Sequence, residues 1–152
     1  MISSVEHRLL WHADILGLPQ GKPRRRSIPI RNKDGVQVGV RPYLPVSEWA
    51  EFVKLRAQEY RGPVWEGAVR IVLIFRLPRP QSLPKRVPYW AHTKKPDVWS
   101  AGNNIADALA GIVYVRDEQH VQVEVTKVYT SVHFPQVGCE VTVYALEEAK
   151  GC

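Results

Sequence analysis

Cysteine is scarce in this chain. Only Cys139 and Cys152 occur among 152 residues, at no metal-type spacing. A disulfide framework and a cysteine zinc site are therefore not expected, and both read as reduced thiols of a cytoplasmic protein. Long apolar runs are also missing, so no segment approaches a membrane span of about 20 residues. Charges interrupt the first apolar residues, so the start carries no signal-peptide pattern. Internal repeats and low-complexity tracts are absent. The five histidines, His7, His12, His92, His120 and His133, show no paired ligand spacing. They read as structural or surface residues rather than zinc ligands. One further absence is local: from Arg76 to Lys95 there is no acidic residue at all.

What is present suits one domain over residues 1–152, with 45% apolar residues and a net charge of +6. That length can bury a core, and that charge points to a polyanionic partner. Val5 to Leu16 reads as a first strand. Gly17 to Arg26 is broken by glycine and proline and ends in Lys22, Arg24, Arg25 and Arg26. Ile28–Ile30 and Val36–Val40 read as a hairpin around a Gly35 turn. Ser47 caps an expected helix to Tyr60, with Trp49, Phe52, Val53 and Tyr60 on one stripe. Val69 to Leu77 is apolar on alternate positions of both faces, as in a central strand covered on both sides. The acid-free segment is a proline-rich loop carrying Arg79, Lys85, Arg86, Lys94 and Lys95. A loop this long in a compact domain is more often functional or mobile. A second helix is expected from Ser100 to Gly111, burying Ala101, Ile105, Ala108, Leu109 and Ile112. Ser100, Asn103 and Asp107 share its other side. Glu118 to Thr130 alternates, with Val121, Val123, Val125 and Tyr129 on the apolar face. Lys127 falls on that same face, which is unusual for a lysine. Cys139 to Ala145 alternates again and closes the sheet. Strands and helices without regular alternation predict an α+β domain, a mixed sheet packed with two main helices.

Three aspartates punctuate the second half. Asp97 precedes the second helix, Asp107 lies within it, and Asp117 follows the apolar run Ile112–Val115. Singly, they read as a cap, a solvated helix face and a turn. Brought together, carboxylates repel one another unless a cation lies between them, and Mg²⁺ prefers such oxygen ligands.

The order of these residues resembles the RusA family of Holliday junction resolvases. Lys95-Pro96-Asp97 matches the opening of the family's core pattern. Asp107-Ala108-Leu109-Ala110-Gly111 matches its helix, Ile112-Val113-Tyr114 its apolar run, Asp117-Glu118-Gln119-His120-Val121 its second acidic cluster, and Lys127-Val128-Tyr129 its end. The Gly17–Arg26 loop is similar to the family's Gly-Lys-Pro-rich basic loop. The resemblance implies a Mg²⁺-dependent endonuclease, with Mn²⁺ able to substitute. It implies branched DNA as partner, a homodimer and no membrane. Carried over residue by residue, Asp97 and Asp117 match catalytic metal ligands. Asp107 matches a family aspartate without an assigned role, and Glu118 could add an oxygen. Lys22, Arg24, Arg25, Arg26, Arg79, Lys85, Arg86, Lys94, Lys95 and Arg116 are the candidate DNA-binding residues.

The chain departs from that pattern at four positions. Trp99 stands for the second aspartate of the D-x-D pair, Ser100 for the following asparagine, Asn103 for the helix lysine, and Arg116 for the first aspartate of the D-D pair. One carboxylate fewer implies weaker metal binding and slower cleavage. Trp99 reads first as a packing residue, second as a contact to an unpaired base. A PD-(D/E)xK reading would use Pro96-Asp97, but Glu124 lies one position too far from Lys127. The rival expectations are a junction-binding protein with an inactive metal site and a basic domain for RNA or protein.

Overall fold

The computed structural model describes residues 4–23, 26–43, 48–83 and 91–149. Arg24, Arg25, Ser47, Lys85, Arg86 and Cys152 lie outside these residues, as does the Arg26 side chain. Strand β1 (Val5–Leu16), the hairpin β2 (Arg26–Arg31) and β3 (Gln37–Tyr43), and helix α1 (Glu48–Ala57) come first. Strand β4 (Val69–Leu77), helix α2 (Val98–Leu109), a short turn of 3-10 helix (Asp117–Gln119), β5 (His120–Tyr129) and β6 (Gly138–Glu148) follow.

The main sheet runs β1-β6-β4-β5, with only the β4–β5 pair parallel. This is the expected α+β domain with a mixed sheet. The alternating C-terminal strand β6 does not close the sheet; it lies inside, between β1 and β4. Alternation reports which faces a strand presents, not who its neighbours are. Val69, Ile71, Leu73, Phe75 and Leu77 point to one side of β4 and are buried together with Trp49, Val53 and Ala57 of α1 and Ala101, Ile105, Ala108 and Leu109 of α2. On the other side of β4, Val72 and Ile74 are only half-buried, so the expected second cover is missing among the described residues. Among the described residues the sheet has one helical layer, and its other face carries polar residues such as Glu124, Glu140 and Thr142.

Helix α1 buries Trp49, Val53 and Ala57 at i, i+4 and i+8, while Phe52 sits at the edge of the stripe and is exposed. The hairpin turns at Asn32, whose Oδ1 accepts the amides of Asp34 and Val36, and Gly35 takes φ +78°. Edge strand β5 begins with Val121 and Val123 exposed, against the expectation of a buried face. Helix α2 covers only the later part of that strand: a Cβ on Gly102 would come 3.1 Å from Val125 Cγ2. Among the described residues no helix is long and apolar enough to cross a membrane.

Candidate functional site

Helix α2 starts earlier than expected, at Val98 rather than Ser100, because Asp97 is the cap. Asp97 Oδ1 accepts the Ser100 amide at 2.8 Å, and its carbonyl accepts the Ala101 amide at 3.0 Å. A side-chain oxygen satisfies one of the amides that a helix start leaves open. The helix stops at Leu109. Ala110 turns extended, and Gly111 takes φ +85°, a conformation that a Cβ makes costly.

The approach to Asp97 is held from below by Lys127. Its Nζ donates to the carbonyls of Lys94 at 2.5 Å and Pro96 at 2.7 Å. Partial burial lowers the Lys127 pKa, and the Asp97 charge opposes that shift. This explains the lysine on an otherwise apolar strand face: its stem packs and its ammonium ties the segment that carries Asp97.

The other end of α2 collects the acids. Asp107 lies ten positions beyond Asp97, about 15 Å along the axis at about 1.5 Å per residue. The Asp117 carboxyl is hydrogen-bonded to Asp107, and its pKa is raised. Partial burial of the group comes first, then the Asp107 hydrogen bond, then the charges of Asp107 and Glu118, with Lys22 acting in the opposite direction. A carboxyl beside another ionises less readily, which is why the Asp117 pKa rises. Asp107 is thus a neighbour of Asp117 at this end of the helix.

Lys22 completes this cluster. Its Nζ stands 2.6 Å from Asp107 Oδ2. The loop that brings it is fastened to α2 by backbone and side-chain hydrogen bonds. The Lys22 amide donates to Ser100 Oγ at 2.8 Å and to the Ser100 carbonyl at 3.3 Å, and Asn104 Nδ2 donates to the Gln20 carbonyl at 3.0 Å. Gly21 permits the approach, since a Cβ there would lie 2.6 Å from Ser100 Oγ.

The turn that delivers Asp117 is tied by Gln119. Its Oε1 accepts the amides of Val115 and Arg116, each at 2.8 Å, and its Nε2 donates to the carbonyls of Trp65 and Gly67, each at 2.8 Å. Beneath it, the buried Tyr114 hydroxyl donates to the Ala106 carbonyl at 2.6 Å. Burial and the charges of Asp117 and Asp107 push the Tyr114 pKa far up, so it stays a neutral donor. His120 packs edge-on against Tyr114, and burial lowers its pKa. Sequence reasoning placed Ser100 at the helix start and Tyr114 and Gln119 within the family pattern, and foresaw none of these contacts for them or for Asn104. The one available signal was Asn104, a polar residue among the buried positions of α2.

Of the basic candidates, Lys94, Lys95 and Arg116 are exposed, Lys22 is exposed but paired with Asp107, and Arg79 is half-buried after β4. Arg76, at the start of the acid-free segment, is not a surface charge. It is 4% exposed, held by Asp14 and by the Gln136 carbonyl. Trp99 is not packed either; it is 80% exposed in the first turn of α2.

Among the described residues no three histidine, cysteine or carboxylate groups stand together as a metal-binding cluster. The Asp107–Asp117 pair nevertheless suits one hard cation. Mg²⁺ is commonly held by one or two carboxylates plus substrate phosphates and keeps several waters, and a cation relieves the repulsion between neighbouring carboxyls. The family described as Endodeoxyribonuclease RusA matches the chain over residues 17–143, most of its length. No curated protein matches it.

Proposed function

We propose, from the premise that this chain belongs to the RusA family of endodeoxyribonucleases, that it cuts four-way DNA junctions in a Mg²⁺-dependent reaction of recombination and repair. Mn²⁺ would substitute. The working form is a homodimer in the cytoplasm, because two-fold symmetry suits a substrate in which two strands are cut alike. The observation that carries the reading is the family match over residues 17–143, with Asp107, Asp117 and Lys22 gathered at one end of α2 in its support.

In this reading Asp117 and Asp107 are the metal-holding oxygens, Glu118 lies beside Asp117, and Asp97 serves from the start of α2. Bound there, Mg²⁺ supplies the Lewis acid for water activation and for the leaving oxyanion. The protein's own residues do the rest. Gln119 fixes the turn carrying Asp117, and Tyr114 keeps a neutral hydroxyl beneath the carboxyls. Lys22 balances the pair's negative charge before a phosphate arrives. Lys94, Lys95 and Arg116 hold neighbouring phosphates by charge. Arg24, Arg25, Arg26, Arg79, Lys85 and Arg86 belong to the same proposed DNA-binding set.

A second reading, a junction-binding protein with an inactive metal site, has one observation in its favour. The Lys22 ammonium already neutralises Asp107, and an exposed indole stands at 99 rather than a carboxylate. A labelled four-way junction incubated with Mg²⁺ and with Mn²⁺ separates the two. The first reading expects slow cutting that Mn²⁺ accelerates. It also expects a strong gain in the Trp99→Asp, Asn103→Lys double variant. A folded double variant that binds junctions and cuts in neither metal would leave only the second reading.

A further inference from the structure

The function proposed above gives the Trp99 indole no contact with DNA, yet it is one of the most exposed large apolar side chains of the described residues, at 80%. Exposure removes the core-packing role that its residue type suggests. Helix α2 turns Ala101, Ile105, Ala108 and Leu109 inward, whereas Trp99, Asn103 and Asp107 recur at i, i+4 and i+8 on the outer side. Trp99 and Asp107 thus share one helix face, about 12 Å apart along the axis. The segment entering this turn ends in Lys94 and Lys95, both exposed. The local contacts of the turn are made by Asp97 and Ser100, so the indole is not needed to hold it.

We infer that Trp99 is a stacking platform for an unpaired nucleobase of the DNA engaged at the Asp107–Asp117 pair. This rests on the junction reading above. Every base offers a π face, so an indole can take any of them. In continuous duplex both faces of each base are covered by neighbours. At a branch or in a single strand one face is open. The exposed lysines four and five residues before the indole would hold the phosphates of the same stretch, and about 12 Å corresponds to three or four nucleotides stacked at about 3.4 Å each. A strand with a phosphate at the acidic pair therefore brings a base to Trp99 within a few nucleotides. Stacking there favours branched DNA over plain duplex.

The test uses the full chain without divalent metal, so that binding is read apart from cutting. One four-way junction carries 2-aminopurine at the branch, and a linear duplex carries it internally. Wild type is expected to quench the branch probe and leave the duplex probe unchanged. Trp99→Ala is expected to lose the quench and to bind the junction about tenfold more weakly. Its duplex affinity should stay the same, and Trp99→Phe should keep most of the junction affinity. Thermal melts of each variant check the fold. Junction binding by wild type with no loss in Trp99→Ala, or an equal loss on duplex and junction, overturns the stacking role and leaves the junction reading standing. If wild type binds neither DNA, both fail. Sedimentation velocity supplies the remaining arm: a Trp99→Ala variant that falls from dimer to monomer would assign the indole to a copy–copy contact and overturn the inference.

Discussion

The two ends of helix α2 are built from similar residues and do different work. At the start, one carboxylate, Asp97, is spent on a backbone amide, and one lysine, Lys127, on two backbone carbonyls. At the far end, two carboxyls face each other with a lysine ammonium against one of them. An acid whose charge is satisfied by the backbone is held in place. Neighbouring acids repel one another, and a cation between them relieves that repulsion. The comparison teaches that the start of α2 fixes the chain while its end gathers carboxyls that remain open to a further partner.

The largest effect that sharpens this contrast is expected at the acidic end. Asp117→Asn keeps the size of the side chain but removes a negative oxygen. Junction cleavage should fall on the order of a hundredfold or more, the scale of a lost alignment at the reacting atoms. Junction affinity should hold or rise, as one repulsive charge is gone. Gel-shift and cleavage assays on the same preparation read both.

At the positioning end the effects should appear in stability. Lys127→Met keeps the buried stem and removes the donor to the Lys94 and Pro96 carbonyls. Hydrogen bonds from a charged donor suggest a loss of about 2 kcal/mol in urea unfolding. Asp97→Ala, which removes the helix cap, should cost about 1 kcal/mol, and Asp97→Asn only a few tenths, since asparagine caps as well as aspartate. Asp97→Asn then breaks the comparison cleanly. If cleavage falls with stability unchanged, Asp97 also serves the chemistry, as the family pattern implies. If cleavage holds, its work is the cap alone.

The smallest effect concerns His92, whose amide donates to the Lys127 carbonyl at 3.2 Å and whose ring packs edge-on against Tyr129. Burial, then the Lys127 charge, lowers its pKa below the ordinary 6.5. A depressed folded-state pKa means that the unfolded chain binds the proton first. The contribution is complete above about 6.5 and is lost as pH falls through that value towards the folded-state pKa. The melting temperature of wild type should therefore drop more between pH 7.5 and 5.5 than that of His92→Gln. Equal drops would remove His92 from the account.

Much of the framework was legible in the chain. Val5–Leu16 and Val69–Leu77 stand where alternation and the dense β-branched run put them. The ordered aspartates carried the family. The first turn of α2 was misread because Ser100 and Asp97 are both cap residues, and Ser100 instead accepts the amide of the Lys22 loop. The position of β6 inside the sheet was not legible, since alternation does not encode strand order. Trp99 was assigned to packing by residue type, whereas its place in the helix turns it outward. The Asp107–Asp117 pairing and the Lys22 contact depend on the turn after Gly111 and on a loop from some eighty residues earlier. No local pattern reports such contacts.

The central claim is that the Asp107–Asp117 pair is the place where a divalent cation is held. Titration of Mn²⁺ into the wild-type protein, followed by electron paramagnetic resonance, tests it without relying on cleavage. The account predicts one bound ion per chain in wild type and loss of that binding in both Asp107→Asn and Asp117→Asn, with folding unchanged. Equal Mn²⁺ binding by all three proteins would contradict it.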